Sequence, residues 1–239
     1  MAHGRSLVRA HWATADALVV VLERHRGGVG LVGLGPADGV AHLLGRTVAD
    51  APTLWAHVRW ATVPRGTWAA LDTAPAAVFD AWAGPVAWDC MWTYGPLVGA
   101  GHHEVERLDP KQPRVRAEVA EALARAHPSA STSPDDPRLL GWWGLRVGGR
   151  LAAVVGALRY APGLAPHLVS LGVDPEHRGR GLAGAVLAAA VRSCLAAGTR
   201  VGRPAVWLGL YASNDVARRV YLRHGFELGH EFESRDAPA

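Results

Sequence analysis

The sequence predicts a mixed α/β fold, and three observations lead there. Short runs rich in Val, Leu and Trp, bounded by Gly and Pro, alternate with alanine-rich runs of helical spacing, the pattern of strands interleaved with helices. Of the 239 residues 49% are hydrophobic and 19% charged, enough apolar mass for a real core and too much for extended disorder. The length exceeds that of one typical domain, so a main domain with a sizeable appendage is expected.

The elements follow in chain order. Residues 6–26 mix small and apolar groups with His11, Asp16 and Glu23 at loosely helical spacing, and Gly27-Gly28 ends the run, which predicts a helix. Val29 to Leu34 is too rich in glycine to assign. Residues 36–50 are expected to be helical, and Trp55 to Val63 to be a strand stopped by Pro64-Arg65-Gly66. Residues 68–94 hold Trp68, Phe79, Trp82, Trp88, Trp92 and Tyr94 among prolines and acidic residues. Rings bury large areas, so these read as core contacts, with a cofactor or acceptor pocket as the alternative.

Glu104 to Leu108 predicts a short strand, and Val115, Val119, Ala122, Leu123 and Ala126 mark a helix over 114–126. Turn formers and prolines from His127 to Pro137 make a loop. Residues 142–147 and 151–160 read as two strands of a hairpin turning at Gly148-Gly149. Then come a strand over 167–173, a loop over 174–180, a helix over 181–197 and a strand over 205–211. The chain closes with a helix over 214–223, Gly225 as its left-handed cap, and a strand over 226–233. No internal sequence repeat of 20–50 residues is visible.

Composition excludes several classes. The net charge of +4 comes from scattered arginines with a single lysine, Lys111, and no basic run. Such a surface suits phosphorylated small molecules, whereas nucleic-acid binding would call for a basic stripe with interleaved aromatics, so no nucleic acid is expected. No run approaches the ~20 apolar residues of a membrane span, and the N-terminus lacks the marks of a signal peptide, so no membrane and a cytoplasmic location are expected. Cys90 and Cys194 stand far apart, outside any CxxC or Cys/His spacing, and are expected to be free thiols. His102-His103-Glu104 lacks further ligands at suitable spacing, so no metal is expected.

The stretch Glu176-His-Arg-Gly-Arg-Gly-Leu-Ala-Gly184 contains the letters of a dinucleotide fingerprint but not its context. That fingerprint needs its first glycine directly after the first strand and an acidic residue about 20 positions on. Here residues 174–178 intervene, and Arg203 and Pro204 stand where the acid should be. What remains is three side-chain-free positions opening a helix, where backbone N–H groups can approach a phosphate, with Arg178 and Arg180 adding positive charge. A plain glycine-rich turn before an alanine helix is the alternative.

The order of elements narrows the choice. The strand with Val173-x-Pro175, then Arg178-x-x-Gly181-x-Ala183 and the helix, resembles the acetyl-CoA-binding segment of the GNAT superfamily of N-acetyltransferases. Asn214-Asp-x-Ala217-x-x-x-Tyr221-x-x-x-Gly225-Phe226 is similar to that family's second signature. The resemblance covers residues 101–233, which sets a GNAT domain at 101–239 apart from an N-terminal α/β subdomain of unassigned role at 1–100. It implies a mixed, mostly antiparallel sheet with helices on both faces. It implies acetyl-CoA as cosubstrate, with Leu171, Gly172 and Val173 along the pantetheine arm and the Leu171 N–H facing the thioester oxygen. The pyrophosphate falls to the amides of Arg178, Gly179, Arg180, Gly181, Leu182 and Ala183. Asn214 contacts the arm, and the Tyr221 hydroxyl protonates the departing thiolate.

Asn214 and Tyr221 are seven residues apart, two turns along one helix face. The expected reaction moves an acetyl group directly to an amine on a small molecule or peptide. The alternative is a non-catalytic acyl-CoA-binding regulator, and homodimerisation is left open. A base is harder to assign, because His167 to Val173 lacks the carboxylate common in the family; His167, Glu104, Asp89 or a water relay are the candidates.

Overall fold

In a computed structural model describing residues 7–23, 28–99, 103–130, 132–199 and 202–238, the chain opens with three strands, β1 (Leu7–Ala13), β2 (Leu18–Glu23) and β3 (Val29–Leu34). Helix α1 (Ala37–Asp50), strand β4 (Val58–Pro64), a one-turn helix α2 (Thr73–Ala76) and strand β5 (Val86–Thr93) follow. Next come β6 (Glu106–Leu108), α3 (Pro113–Ala126), β7 (Leu139–Val147), β8 (Arg150–Leu158) and β9 (His167–Val173). Helix α4 (Leu182–Ala196), β10 (Val206–Tyr211), α5 (Asp215–Arg223) and β11 (Glu227–Asp236) complete the order. Among the described residues no helix is long and apolar enough to cross a membrane.

The chain divides into two compact units, Met1–Asp89 with Tyr211–Ser213 and His230–Ala239, and Cys90–Leu210 with Asn214–Gly229. In the first unit the strands run β1-β2-β3-β4-β11. The helix expected over 6–26 is instead the β1–β2 hairpin, paired antiparallel from Leu7↔Glu23 to Ala13↔Leu18. The turn explains the outcome: the Thr14 hydroxyl donates to Asp16 and accepts from the Ala17 N–H, and the Thr14 N–H bonds the Ala17 carbonyl. The β-branched run Val19-Val20-Val21 then alternates, with Val19 and Val21 fully buried. Phe79 is ringed edge-on by Trp55, Trp68 and Trp82, which places those aromatics in the core of this unit.

In the second unit the order is β5-β10-β9-β8-β7-β6. The β7–β8 hairpin turns at Gly148 and Gly149, both left-handed, as expected. One side of this sheet packs on α4 through Leu145, Val155, Leu187 and Val191; the other packs on α3 through Leu108, Trp142 and Leu123. β6–β7, β7–β8 and β8–β9 pair antiparallel and β9–β10 pairs parallel, and with its helices this is the mixed, mostly antiparallel architecture the sequence led to expect.

A repeat invisible in the sequence shows in the topology. In each unit two antiparallel pairings lead to a strand, a helix and a parallel strand: β1, β2, β3, α1, β4 in the first, and β7, β8, β9, α4, β10 in the second. Connectivity constrains backbone pairing rather than side-chain identity, so it leaves no sequence period.

Candidate active site

Strand β9 carries an irregularity. Against β8 it pairs Val173↔Ala153 and Gly172↔Val154, then Val169↔Gly156, so Ser170 and Leu171 together oppose Val155. Two residues against one is a β-bulge, which bends the strand and re-aims its backbone. Ser170 has φ 54°, the one non-glycine in the left-handed region among the described residues. A strained residue of this kind costs on the order of 1–3 kcal/mol and persists where neighbours over-determine it.

On its other edge β9 pairs with β10 only at His167↔Trp207 and Leu168↔Leu208. Beyond that point the two parallel strands part, leaving Val169–Val173 unpaired with β10. The closed end is sealed by a stack: His167 lies 3.7 Å from Trp207 at 5°, and its Nδ1 is 3.0 Å from the Tyr160 hydroxyl. The Arg138 guanidinium sits over Tyr160. Burial, reinforced by Arg138, pushes the His167 imidazole down to about 4, so it is neutral at physiological pH.

The loop from β9 to α4 is pinned at its start. Asp174 accepts from the Glu176 N–H and pairs with Arg125; the Glu176 N–H foremost, then Arg125, holds its carboxyl below the usual range. Arg178 is tied back, Nε to the Val173 carbonyl and Nη2 to Ala126, so it braces the loop as well as carrying charge. Gly179 and Gly181 take φ 76° and 77°, the left-handed values glycine accommodates without cost. Helix α4 then opens on Gly181 with no side-chain cap and no acidic residue in its first turn. Its first amides and positive helix end are thereby left for an anion. Arg180 and Leu182 also border a cavity of about 290 Å³ lined by His103, Glu104 and Arg146.

The third glycine has a different purpose from the one expected. A methyl group at Gly184 would overlap Cε1 and Nε2 of the His224 ring, so this position serves close packing rather than phosphate approach.

On α5, the Asn214 carboxamide oxygen caps the helix by accepting from the Ala217 N–H, leaving its NH₂ outside that bond. Tyr221 is 8% exposed, stands edge-on to Phe226, and is pushed by burial up to about 12. Gly225, φ 94°, follows the helix in the left-handed conformation expected of it. Burial likewise pushes the Cys90 and Cys194 thiols up to about 11 and about 12, which removes both as ready thiolate nucleophiles. Asp89, in the first unit, is fully buried and paired with Arg65 at 2.6 Å, a structural carboxylate. His102 lies outside the described residues; among the described ones no three His, Cys, Asp or Glu converge as for a metal.

The family model of the acetyltransferase (GNAT) family matches residues 105–226, about half of the chain. The chain belongs to the GNAT family. Its fold matches an acetyltransferase of the GNAT family from Novosphingobium aromaticivorans, 21% identical, TM-score 0.55, over 93% of this chain and 88% of that one. It matches equally a GCN5-related N-acetyltransferase from Kribbella flavida, 18% identical, TM-score 0.58, over 97% and 91%. A third is a GNAT acetyltransferase from Colwellia psychrerythraea, 13% identical, TM-score 0.56, over 94% and 82%. At these identities the likeness is one of fold. No curated protein matches the sequence.

As a GNAT member the chain is an acyltransferase, of a family that uses acetyl-CoA. Leu171, Gly172 and Val173 lie on the diverging stretch of β9, and Arg178 to Ala183 run from the braced loop into the opening of α4. Tyr221 belongs to the same core as Leu208, Leu210 and Leu182. Three contributors escaped the sequence reading. Asp174 had a signal in its Asp-Pro-x turn, but the Ser170 bulge and the Tyr160–His167–Trp207 stack arise from strand pairing and left none.

Proposed function

We propose that the protein is an acetyl-CoA-dependent N-acetyltransferase with its donor cleft between β9 and β10. The observation that carries this reading is the parting of those strands after two residue pairs, at a bulge. A parted strand offers backbone donors and acceptors to an extended pantetheine arm, in the manner of β-strand addition. Gly172 and Val173 bond the arm, and Arg178 to Ala183 receive the pyrophosphate on backbone N–H groups, aided by the helix end.

The acceptor amine, in its neutral form, attacks the thioester carbonyl carbon. The Leu171 N–H, within the bulged stretch, donates to the oxygen as it gains negative charge. Collapse re-forms the carbonyl and breaks the C–S bond, and Tyr221 gives its hydroxyl proton to the leaving sulfur. Burial pushes the Tyr221 pKa up to about 12, which keeps the proton in place at physiological pH but makes the hydroxyl a weaker acid, so the transfer is coupled to C–S cleavage, when negative charge builds on sulfur beside it. The nitrogen then loses its extra proton to solvent or to a nearby base, and the Tyr221 oxygen takes a proton back from solvent, which restores the enzyme. His167 is neutral but, at about 4, a weak proton acceptor, and Asp89 is held by Arg65, so a water relay is the favoured route. The products are an N-acetyl amide and free coenzyme A.

Calorimetry with acetyl-CoA and a thiol-release screen over a panel of small amines and peptide N-termini test the proposal together. Binding with amine-dependent thiol release is expected. Binding without turnover on any amine would favour a regulator that senses acyl-CoA, and absence of binding would overturn the reading.

A further inference from the structure

We infer that His224 is a positioning residue that sets the spacing between the amide-lined opening of α4 and the helix bearing Tyr221, through its contact with Gly184; this rests on the coenzyme A reading above. The residue stands at a junction of three segments. At the end of α5 its N–H bonds the carbonyls of Val220 and Tyr221, at 3.2 and 3.1 Å. The Tyr221 carbonyl also receives the Phe226 N–H at 3.0 Å, so the turn that fixes Tyr221 closes around His224. Toward the segment after β5, its Nδ1 lies 2.7 Å from the Val98 carbonyl, and the Val98 N–H returns a bond to the His224 carbonyl at 3.2 Å. A carbonyl only accepts, so Nδ1 carries the proton.

The opposite edge of the ring meets α4. Cε1 and Nε2 occupy the space a side chain at Gly184 would need. Gly184 is the third residue of α4, directly after the Leu182 and Ala183 amides assigned to phosphate. Glycine inside a helix weakens it relative to alanine, so a glycine here is costly unless the close approach is itself required. The ring cannot yield to a methyl group by swinging aside, because it is 8% exposed and its Nδ1 is held by Val98. Pushing on the ring therefore pushes α4 and α5 apart.

Four proteins test this: the parent, Gly184→Ala, His224→Ala and the double variant. The readouts are coenzyme A affinity by calorimetry and amide hydrogen exchange over residues 182–186 without ligand. Gly184→Ala is expected to weaken coenzyme A about tenfold, as overpacking displaces the first turn. His224→Ala should weaken it less and speed exchange at 182–186. In the double variant the methyl group enters the space the ring vacates, so affinity should be no worse than in His224→Ala alone. Losses that simply add, or single variants that melt earlier yet bind and exchange like the parent, would overturn the inference. Should Gly184→Ala not fold, His224→Ala and His224→Gln decide it, with glutamine expected to bind better than alanine by keeping an N–H for Val98. A parent that binds no coenzyme A would sink the functional reading alone, and the exchange data would still decide the role of His224.

Discussion

Acidification removes stability specifically from the closed end of the cleft. The His167 imidazole titrates at about 4 in the folded chain against 6.5 in the unfolded one, because its stack with Trp207 and Tyr160 buries it and Arg138 adds like charge. A folded pKa below the unfolded one means the unfolded chain takes up the proton first. The stabilising contribution is thus complete above pH 6.5, falls as pH drops, and stops changing below about 4. The full difference corresponds to about 3 kcal/mol, of which about 2 kcal/mol is gone by pH 5. For a chain of this size that is about 4–8 °C in melting temperature. His167→Gln loses the stack at every pH and, having no titrating ring, escapes the titration penalty that the parent alone carries, so the gap in stability between parent and variant should narrow by about 2 kcal/mol from pH 7.5 to pH 5. Thermal or urea unfolding of both proteins at several pH values measures the gap, and the His167 ring proton shift by NMR follows the titration directly. Parallel pH profiles, or a ring that titrates near 6.5, would refute the reasoning.

Tyr221→Phe should keep acetyl-CoA affinity and lower kcat by about 10²-fold or more, read by calorimetry and thiol release; an unchanged kcat removes the hydroxyl from the reaction. Gly181→Ala, at φ 77° with open space around it, meets backbone strain of about 1–2 kcal/mol and should weaken coenzyme A, while Gly198→Ala, at φ 68° at the far end of α4, bears a similar strain and should not. Asp174→Ala removes the acceptor of the Glu176 N–H and of the Arg125 Nε, so hydrogen exchange across 175–181 should quicken and coenzyme A affinity drop. Each comparison is made on protein whose melting is checked alongside.

The second unit was the more legible. From Trp142 to Val173 continuous apolar runs bounded by glycine and proline, with the Gly148-Gly149 turn, carry the strands, and the glycines at 179, 181 and 225 stand where the backbone turns left-handed. These are local properties, which neighbouring residues dictate. What stayed hidden is non-local. The bulge at Ser170 exists only relative to Val155 across the ladder, and nothing in Leu168-Val-Ser-Leu171 marks it. Gly184 carries the same letter as Gly179 and Gly181, yet its reason is a histidine forty residues on. In residues 7–23 alanines and scattered polar residues mimicked helical spacing, and the side-chain bonds of Thr14 decided for a hairpin. The grouping of residues 230–239 with the first unit rests on the antiparallel pairing of β11 with β4, a contact across more than 160 residues.

The shared topology of the two units isolates what turns this scaffold into a cleft. In the first unit β3 and β4 stay paired through Val29↔Val58, Gly30↔Trp60, Leu31↔Ala61 and Val32↔Thr62, and the Trp60 indole fills the space over Gly30. Only Gly35 and Pro36 separate β3 from α1, whose first turn carries Asp38, a charge that repels anions from the helix end. In the second unit pairing stops after two residues, eight residues from Asp174 to Gly181 lead into α4, and its first turn carries no acid. Connectivity is the same in both, so connectivity does not make the site. The differences are a bulge where β9 faces β8, a parallel pairing that ends after two residue pairs, a connection long enough to turn back through two left-handed glycines, and a helix end kept free of carboxylates. Together they give the second unit a strand edge unpaired with β10 beside a helix end free of carboxylates, which is why the proposed acyl transfer is placed there.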